Sequence, residues 1–271
     1  MTIRATSTQD RELRFIRALL YGDSKIGKTT SLKELPEDIT LIIALERGLI
    51  PLRNKNFRVV CVNSWAELTE LGVALAKAQK ADDGSMSIDI GGDVIAGVRI
   101  IAIDSLTECN TLCKRHIVEV DKKSLVEIRE EQSNKYKAPA VYEEQFQQED
   151  WGALASRMAK FISFMCHLPS HVIFTSLAMV YENKKTMETR CTPALNGQLA
   201  LACPAYFDTV LHMESQPTED GGTVRMWRVE NDGYYVCGDA SGVLNEFEPA
   251  SWNSLFAKIL AQPKPTEQEG R

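Results

Sequence analysis

Short apolar runs, each about the length of a strand, recur along this chain between stretches with helical spacing. Residues 15–21 (FIRALLY) form the first, and it stops at a glycine-bearing loop. Residues 39–45 (ITLIIAL), 57–62 (FRVVCV), 98–103 (VRIIAI) and 171–176 (HVIFTS) repeat the pattern. Continuous apolar runs without strict alternation suit strands covered on both faces. Residues 207–213 predict one more strand, and residues 224–229 and 234–237 predict an antiparallel pair about the turn Asn231-Asp232-Gly233.

Helices are predicted in between. Residues 29–35 form one, ended by Pro36. Ser64 caps another over 65 to about 80, and a long helix begins near Leu106. Asp150 caps an amphipathic helix over 151–167, and Ser251 caps a last short one. Strands alternating with helices predict an α/β fold: a mainly parallel central sheet, helices on both faces, and an antiparallel C-terminal extension.

Three excursions leave that core. Residues 81–97 are rich in Gly, Asp and Ser and suit a small hairpin. Residues 121–149 are charged and Gln-rich, and carry Tyr136, Tyr142 and Phe146. Residues 180–204, with Lys184, Lys185 and Arg190, read as a mobile loop. The expected organisation is a flexible N-terminus at 1–12, one core over 13–262, and a disordered tail at 263–271.

Composition changes this picture little. An apolar fraction of 44% over 271 residues leaves room for a sizeable core. A net charge of −6 excludes a surface that is basic all over, but not a local basic loop. No apolar run reaches the length of a membrane span and no signal segment is evident, so a cytoplasmic site with no membrane partner is expected. Seven scattered cysteines predict free thiols. Cys109, Cys113 and His116 share a helical face, yet no fourth ligand is spaced to close a zinc site.

The chemistry concentrates at Gly22-Asp23-Ser24-Lys25-Ile26-Gly27-Lys28-Thr29. This segment follows the pattern G-x-x-x-x-G-K-[ST] between a predicted strand and a predicted helix. Gly22 and Gly27 permit backbone angles that turn N–H groups inward around an anion, and the helix N-terminus adds positive potential. Lys28 is expected to reach the β- and γ-phosphates, and Thr29 to bind Mg²⁺. Residues 22–30, Thr30 included, are therefore the predicted ATP-binding segment.

Asp104 ends a buried strand, where open α/β sheets bind ligands. It is the second expected Mg²⁺ residue, although Asp104 or Ser105 could also cap the helix that follows. Glu46, at another strand end, is the expected base or orienter of the attacking water, with Glu108 as its competitor. Ser176, with Thr175 as second choice, is expected to sense the γ-phosphate from a strand end. Lys28, Glu46 and Ser176 make up the predicted catalytic set.

GDSKIGKT, LIIALERGL, RIIAIDS and HVIFTS resemble, in order, the core strands and motifs of RecA-type recombinase ATPases. The chain is more closely similar to phage-encoded AAA-family NTP-binding proteins, some of which act in single-strand annealing or recombination. Trp151-Gly152, residues 193–197 and Tyr206-Phe207-Asp208 carry that likeness, which spans residues 14–245. The resemblance implies a RecA-like P-loop NTPase fold, ATP hydrolysis with Glu46 as base, and Asp104-Ser105 as the acidic motif. It also implies ATP-promoted rings or filaments, single-stranded DNA held by loops 121–149 and 180–204, and a single-strand-binding protein as a further partner. Tyr136 between Lys135 and Lys137, and Tyr181 ahead of Lys184 and Lys185, suit base stacking beside a cation.

Two other functions stay open: an ATP-driven switch or loader acting on a protein, and a nucleotide-binding scaffold of low turnover. One departure bears on them. Where such proteins carry Lys-x-Arg before Ser-Gly, aimed at a neighbour's γ-phosphate, residues 237–242 read CGDASG. The cation then comes from Lys184, Lys185, Arg190, Arg225 or Arg228, or hydrolysis is slow.

Overall fold

The computed structural model describes residues 15–46, 48–121, 146, 148–183, 186–218 and 220–261. Its centre is a parallel sheet. β1 (Arg17–Gly22) lies between β8 (His171–Asn183) and β10 (Thr209–Pro217). Beyond β8 come β7 (Ile100–Asp104), β2 (Thr40–Ala44) and β3 (Arg58–Cys61), all parallel. On the other side β11 (Thr223–Arg228) and β13 (Phe247–Pro249) extend the sheet antiparallel, and the short β12 (Gly238–Asp239) also pairs with β10. Mainly parallel strands with an antiparallel C-terminal edge match the expected class.

Both faces of the sheet are covered, which is why its strands read as apolar runs. Alternate residues of β1 serve opposite faces. Leu19 and Tyr21 join the cluster under α2 (Trp65–Ala76), α3 (Leu106–His116) and α4 (Gln148–Cys166). Ala18 and Leu20 join Leu32, Trp227 and Trp252 on the other face, beneath α1 (Lys28–Ser31) and α6 (Trp252–Leu260). At about 25 cal/mol per Å², each large side chain so enclosed contributes roughly 1.5–3 kcal/mol. α1 is a single turn that continues as a 3-10 turn, Leu32–Glu34, ahead of Pro36.

Several elements differ from expectation. β3 is an edge strand, so its residues alternate between half-buried and exposed. Ser64 does cap α2, accepting from the Glu67 N–H at 3.1 Å, while Glu67 accepts from the Asn63 N–H at 2.8 Å. The helix nevertheless stops at Ala76. Gln79–Lys80 forms β4, which joins β5 (Met86–Ile90) and β6 (Asp93–Val98) in a small antiparallel sheet. Asp150 is inside the first turn of α4, since that helix starts two residues earlier, at Gln148.

The largest differences fall after residue 176. β8 runs on to Asn183 and pairs antiparallel with β9 (Glu188–Pro193), so the expected loop over 180–204 is largely a hairpin followed by α5 (Gln198–Ala202). Val180, Tyr181, Thr189 and Thr192 favour extended backbone, and their polar neighbours hid this. β11 pairs with β10, the connection closed by hydrogen bonds between Thr218 and Gly222, and not with residues 234–237. Asp232 instead folds its own segment back, accepting from the N–H groups of Tyr234 and Tyr235 at 3.0 and 2.8 Å. Tyr235 forms an isolated β-bridge with Cys191.

All seven cysteines are free thiols, six of them buried. His116 faces Asp121 at 3.7 Å, and among the described residues no group of three or more His, Cys, Asp or Glu is placed to hold a metal. Among the described residues no helix is long and apolar enough to cross a membrane. The expectations for residues 1–12 and 263–271, for Lys135, Tyr136, Lys137 and Tyr142 in the 121–149 excursion, and for Lys184 and Lys185 lie outside the described residues.

Candidate nucleotide site

β1 is the middle of three parallel strands, and the chain leaves its carboxyl end as the glycine loop. Gly22 is pressed against β10: a Cβ there would stand 2.9 Å from the Met213 carbonyl oxygen. Gly27 has φ of 117°, a conformation open to glycine and strained for other residues, and it leads directly into α1. The loop then curls back over its own lysine. Lys28 Nζ donates to the carbonyls of Gly22 at 2.9 Å and Asp23 at 2.7 Å. An ammonium has three donors, so one N–H is left over.

Below α1, Ser31 Oγ donates to the Lys28 carbonyl at 2.7 Å and accepts from Trp252 Nε1 at 3.1 Å. The C-terminal helix thus braces the one-turn helix that carries Lys28 and Thr29. Such bracing matters because one turn has little stability of its own.

Asp104 reaches the same place from β7. Register explains why: Ile103 pairs with Phe174, which sets Asp104 beside Thr175 on the neighbouring strand. The Thr175 hydroxyl donates to Asp104 Oδ1, and Thr29 Oγ1 donates to Oδ2 at 2.8 Å. Ser105, not Asp104, caps α3, accepting from the Glu108 N–H at 3.3 Å, which leaves the aspartate carboxylate to the site. The Asp104–Ser105 peptide is cis.

Glu46 stands across from Asp104. Its backbone N–H and that of Leu45 donate to the Asp104 carbonyl at 3.3 and 2.8 Å, and its carboxylate accepts from Ser105 Oγ. Ser105 therefore ties Glu46 to the acidic strand while capping α3. Ser24, Lys25, Gly27, Lys28, Thr29, Thr30, Glu46, Pro51, Asp104, Ser105 and Leu177 line one cavity of about 290 Å³. That volume is at the lower end of ordinary ligand sites, roughly 300–1,000 Å³. Burial pushes the Lys28 amine below its usual range, against the opposing pull of Asp104, Glu46 and Asp23.

Of the predicted ATP-binding segment, Gly22, Asp23 and Ile26 do not line the cavity, and two further predicted residues sit elsewhere. Ser176 is fully buried in mid-strand, its hydroxyl 3.0 Å from Thr107 Oγ1 and donating to the Leu177 carbonyl at 3.0 Å. It does not line the cavity because β8 does not end there; Thr175, one residue earlier, has the hydroxyl that faces the acidic centre. Glu108 is also outside the lining, and burial raises its carboxyl above the usual range. Thr107 went unnoticed in the sequence. It bonds Ser176 and accepts from the Leu177 N–H at 2.9 Å, fixing β8 to α3 beside the site.

A glycine loop at the end of a central parallel strand, with its lysine and threonine facing an aspartate two strands away, defines a P-loop NTPase. Residues 14–239 match the family model described as AAA domain, and the chain belongs to that family. No curated protein matches it in sequence. In structure it is similar to the flagellar accessory protein FlaH of Methanocaldococcus jannaschii, with 9% identity, TM-score 0.37, and 86% of this chain and 83% of that one covered. It is also similar to the P4 protein of bacteriophage phi6 in complex with ADP, with 10% identity, TM-score 0.27, and 78% and 57% covered.

Proposed function

We propose that this chain is an Mg²⁺-dependent ATPase, and one observation carries the reading. Lys28, Thr29, Asp104 and Glu46, from three separate segments, converge on a single cavity. A lysine held by two carbonyls of the glycine loop, with one donor to spare, suits the β- and γ-phosphates. Thr29 and Asp104 supply hard oxygen donors, already 2.8 Å apart, of the kind Mg²⁺ prefers. They would hold the ion, whose contribution is to offset charge on the transferred phosphoryl group.

The remaining steps belong to the protein. Lys28 keeps one N–H for a phosphate oxygen while two loop carbonyls fix its direction. Glu46, exposed at the cavity and anchored through Ser105, orients the attacking water and takes its proton. Thr175 holds Asp104 in place. On this reading residues 13–262 act as one ATPase core that assembles into ATP-promoted rings or filaments.

The proposed target is single-stranded DNA in recombination or annealing, bound through segments 121–149 and 180–204. Support comes from the β8–β9 hairpin, where Tyr181 pairs across the strands with Arg190, an aromatic beside a cation. A second reading, a switch acting on a protein partner, has its own support on the same hairpin. Met179, Val180 and Met187 are exposed there, and Arg190 is engaged by Glu188 at 3.5 Å.

ATP turnover with and without single-stranded DNA tests both levels. Lys28→Ala should abolish binding and turnover. Glu46→Gln should keep binding while turnover falls by about 10²–10⁴-fold. DNA that stimulates turnover and binds in a salt-sensitive way supports the first target. Indifference to DNA rejects it, and unchanged turnover in Lys28→Ala rejects the ATPase itself.

A further inference from the structure

β10 continues past the level of the glycine loop. Gly22 pairs with Met213, but the strand runs on to Pro217 before the chain reverses into β11. Arg225 lies on that returning strand, opposite Ser215, a small residue. The overhang places its side chain over the loop. A methyl group built on Gly27 would stand 3.0 Å from Arg225 Cζ, 3.0 Å from Nε and 3.2 Å from Nη1. Near-equal distances to three atoms of a planar group mean that the guanidinium lies face-on to Gly27. Its N–H donors, which lie in that plane, then point along the loop and not into it.

Lys25 also lines the cavity, but as an ammonium it lacks the paired donors of a guanidinium. Two other arginines on the neighbouring strands are engaged. Arg228 faces Glu214 at 3.7 Å and Asp232 at 3.4 Å, and its guanidinium sits over the rings of Tyr235 and Phe247. Arg190 faces Glu188 at 3.5 Å. Arg225 is exposed, and among the described residues its guanidinium has no hydrogen-bond acceptor or ion-pair partner. A fully charged, planar donor therefore waits beside a residue that lines the cavity.

The geometry points to Arg225 as a phosphate-contacting residue supplied by the same chain that supplies the glycine loop. This rests on the ATPase reading and deepens it. A guanidinium binds phosphate oxygens through paired, charge-assisted hydrogen bonds that an ammonium cannot reproduce. It also locates a positive charge that residues 237–242 lack, and places it in cis. Being on an exposed strand, Arg225 reaches a triphosphate by turning its own side chain, with no movement of the sheet.

The test measures affinity for ATP and for inorganic tripolyphosphate in wild type, Arg225→Ala, Arg225→Lys and Lys28→Ala. Arg225→Ala should weaken both ligands by the same factor, about ten- to hundredfold, as expected for a lost charge-assisted contact. Arg225→Lys should fall between. Unchanged affinity in Arg225→Ala, or a loss for ATP but not for tripolyphosphate, overturns the assignment, the latter pointing to a base or ribose contact. Turnover is then measured on Arg225→Ala mixed with Lys28→Ala. No recovery is expected. Recovery would mean that the arginine serves a neighbour's site, and would overturn the cis assignment. A wild type that fails to bind ATP, or a Lys28→Ala that binds it normally, brings down the ATPase reading instead.

Discussion

Thr175→Val is the most direct probe of the acidic centre. Asp104 is 4% exposed and Thr175 is fully buried, so water does little to replace a lost donor. Each Asp104 oxygen has one hydroxyl, Thr175 on Oδ1 and Thr29 on Oδ2. Valine keeps the shape and removes one of the two. A hydrogen bond to a charged group is worth about 1.5–3 kcal/mol, and at 1.4 kcal/mol per decade that is roughly ten- to hundredfold. Loss of a group that orients a metal-binding carboxylate costs a similar factor, about 10–100-fold, in metal affinity.

The Mg²⁺ concentration for half-maximal ATP turnover should therefore rise by that factor in Thr175→Val. ATP affinity in EDTA should hold, because it rests on Lys28 and the loop amides. Thr175→Ser, which restores the hydroxyl, should recover most of the loss. The argument fails if Mg²⁺ dependence is unchanged, or if affinity in EDTA falls as far as affinity with Mg²⁺.

Gly27→Ala should lower stability by about 1–3 kcal/mol, since φ of 117° is strained for alanine. ATP binding should weaken as well; urea unfolding and a binding titration that both match wild type would refute this. His171 provides a pH test. Its Nδ1 accepts from the Ile16 N–H at 3.0 Å, which requires a neutral ring, and burial lowers its pKa to about 4. The unfolded chain takes up this proton near pH 6.5 and the folded chain only near 4, so stability is complete above about 6.5 and is lost as pH falls toward 4. The loss should be roughly 3 kcal/mol. His171→Asn keeps an acceptor at the Nδ1 position and should flatten this part of the curve; parallel curves for the two proteins would count against it.

The parts of the site that could be read from the chain are those held within one segment. Gly22, Gly27, Lys28 and Thr29 belong to a continuous loop whose geometry is set by local backbone freedom. Asp104 and Glu46 were visible because each ends an apolar run, and a parallel sheet gathers such ends at one rim. Ser176 misled because a strand end cannot be located when strand-forming residues continue past the core in polar company. The same difficulty hid the β8–β9 hairpin and gave β11 the wrong partner.

By itself the sequence determined an α/β sheet with both faces covered and a loop built to hold phosphates, since apolar periodicity and glycine conformations are local properties. Register between strands is not local: it depends on how whole elements pack. Only the tertiary structure could therefore set Thr175 beside Asp104, give the capping role to Ser105, bring Trp252 beneath α1, and carry Arg225 across β10 to Gly27.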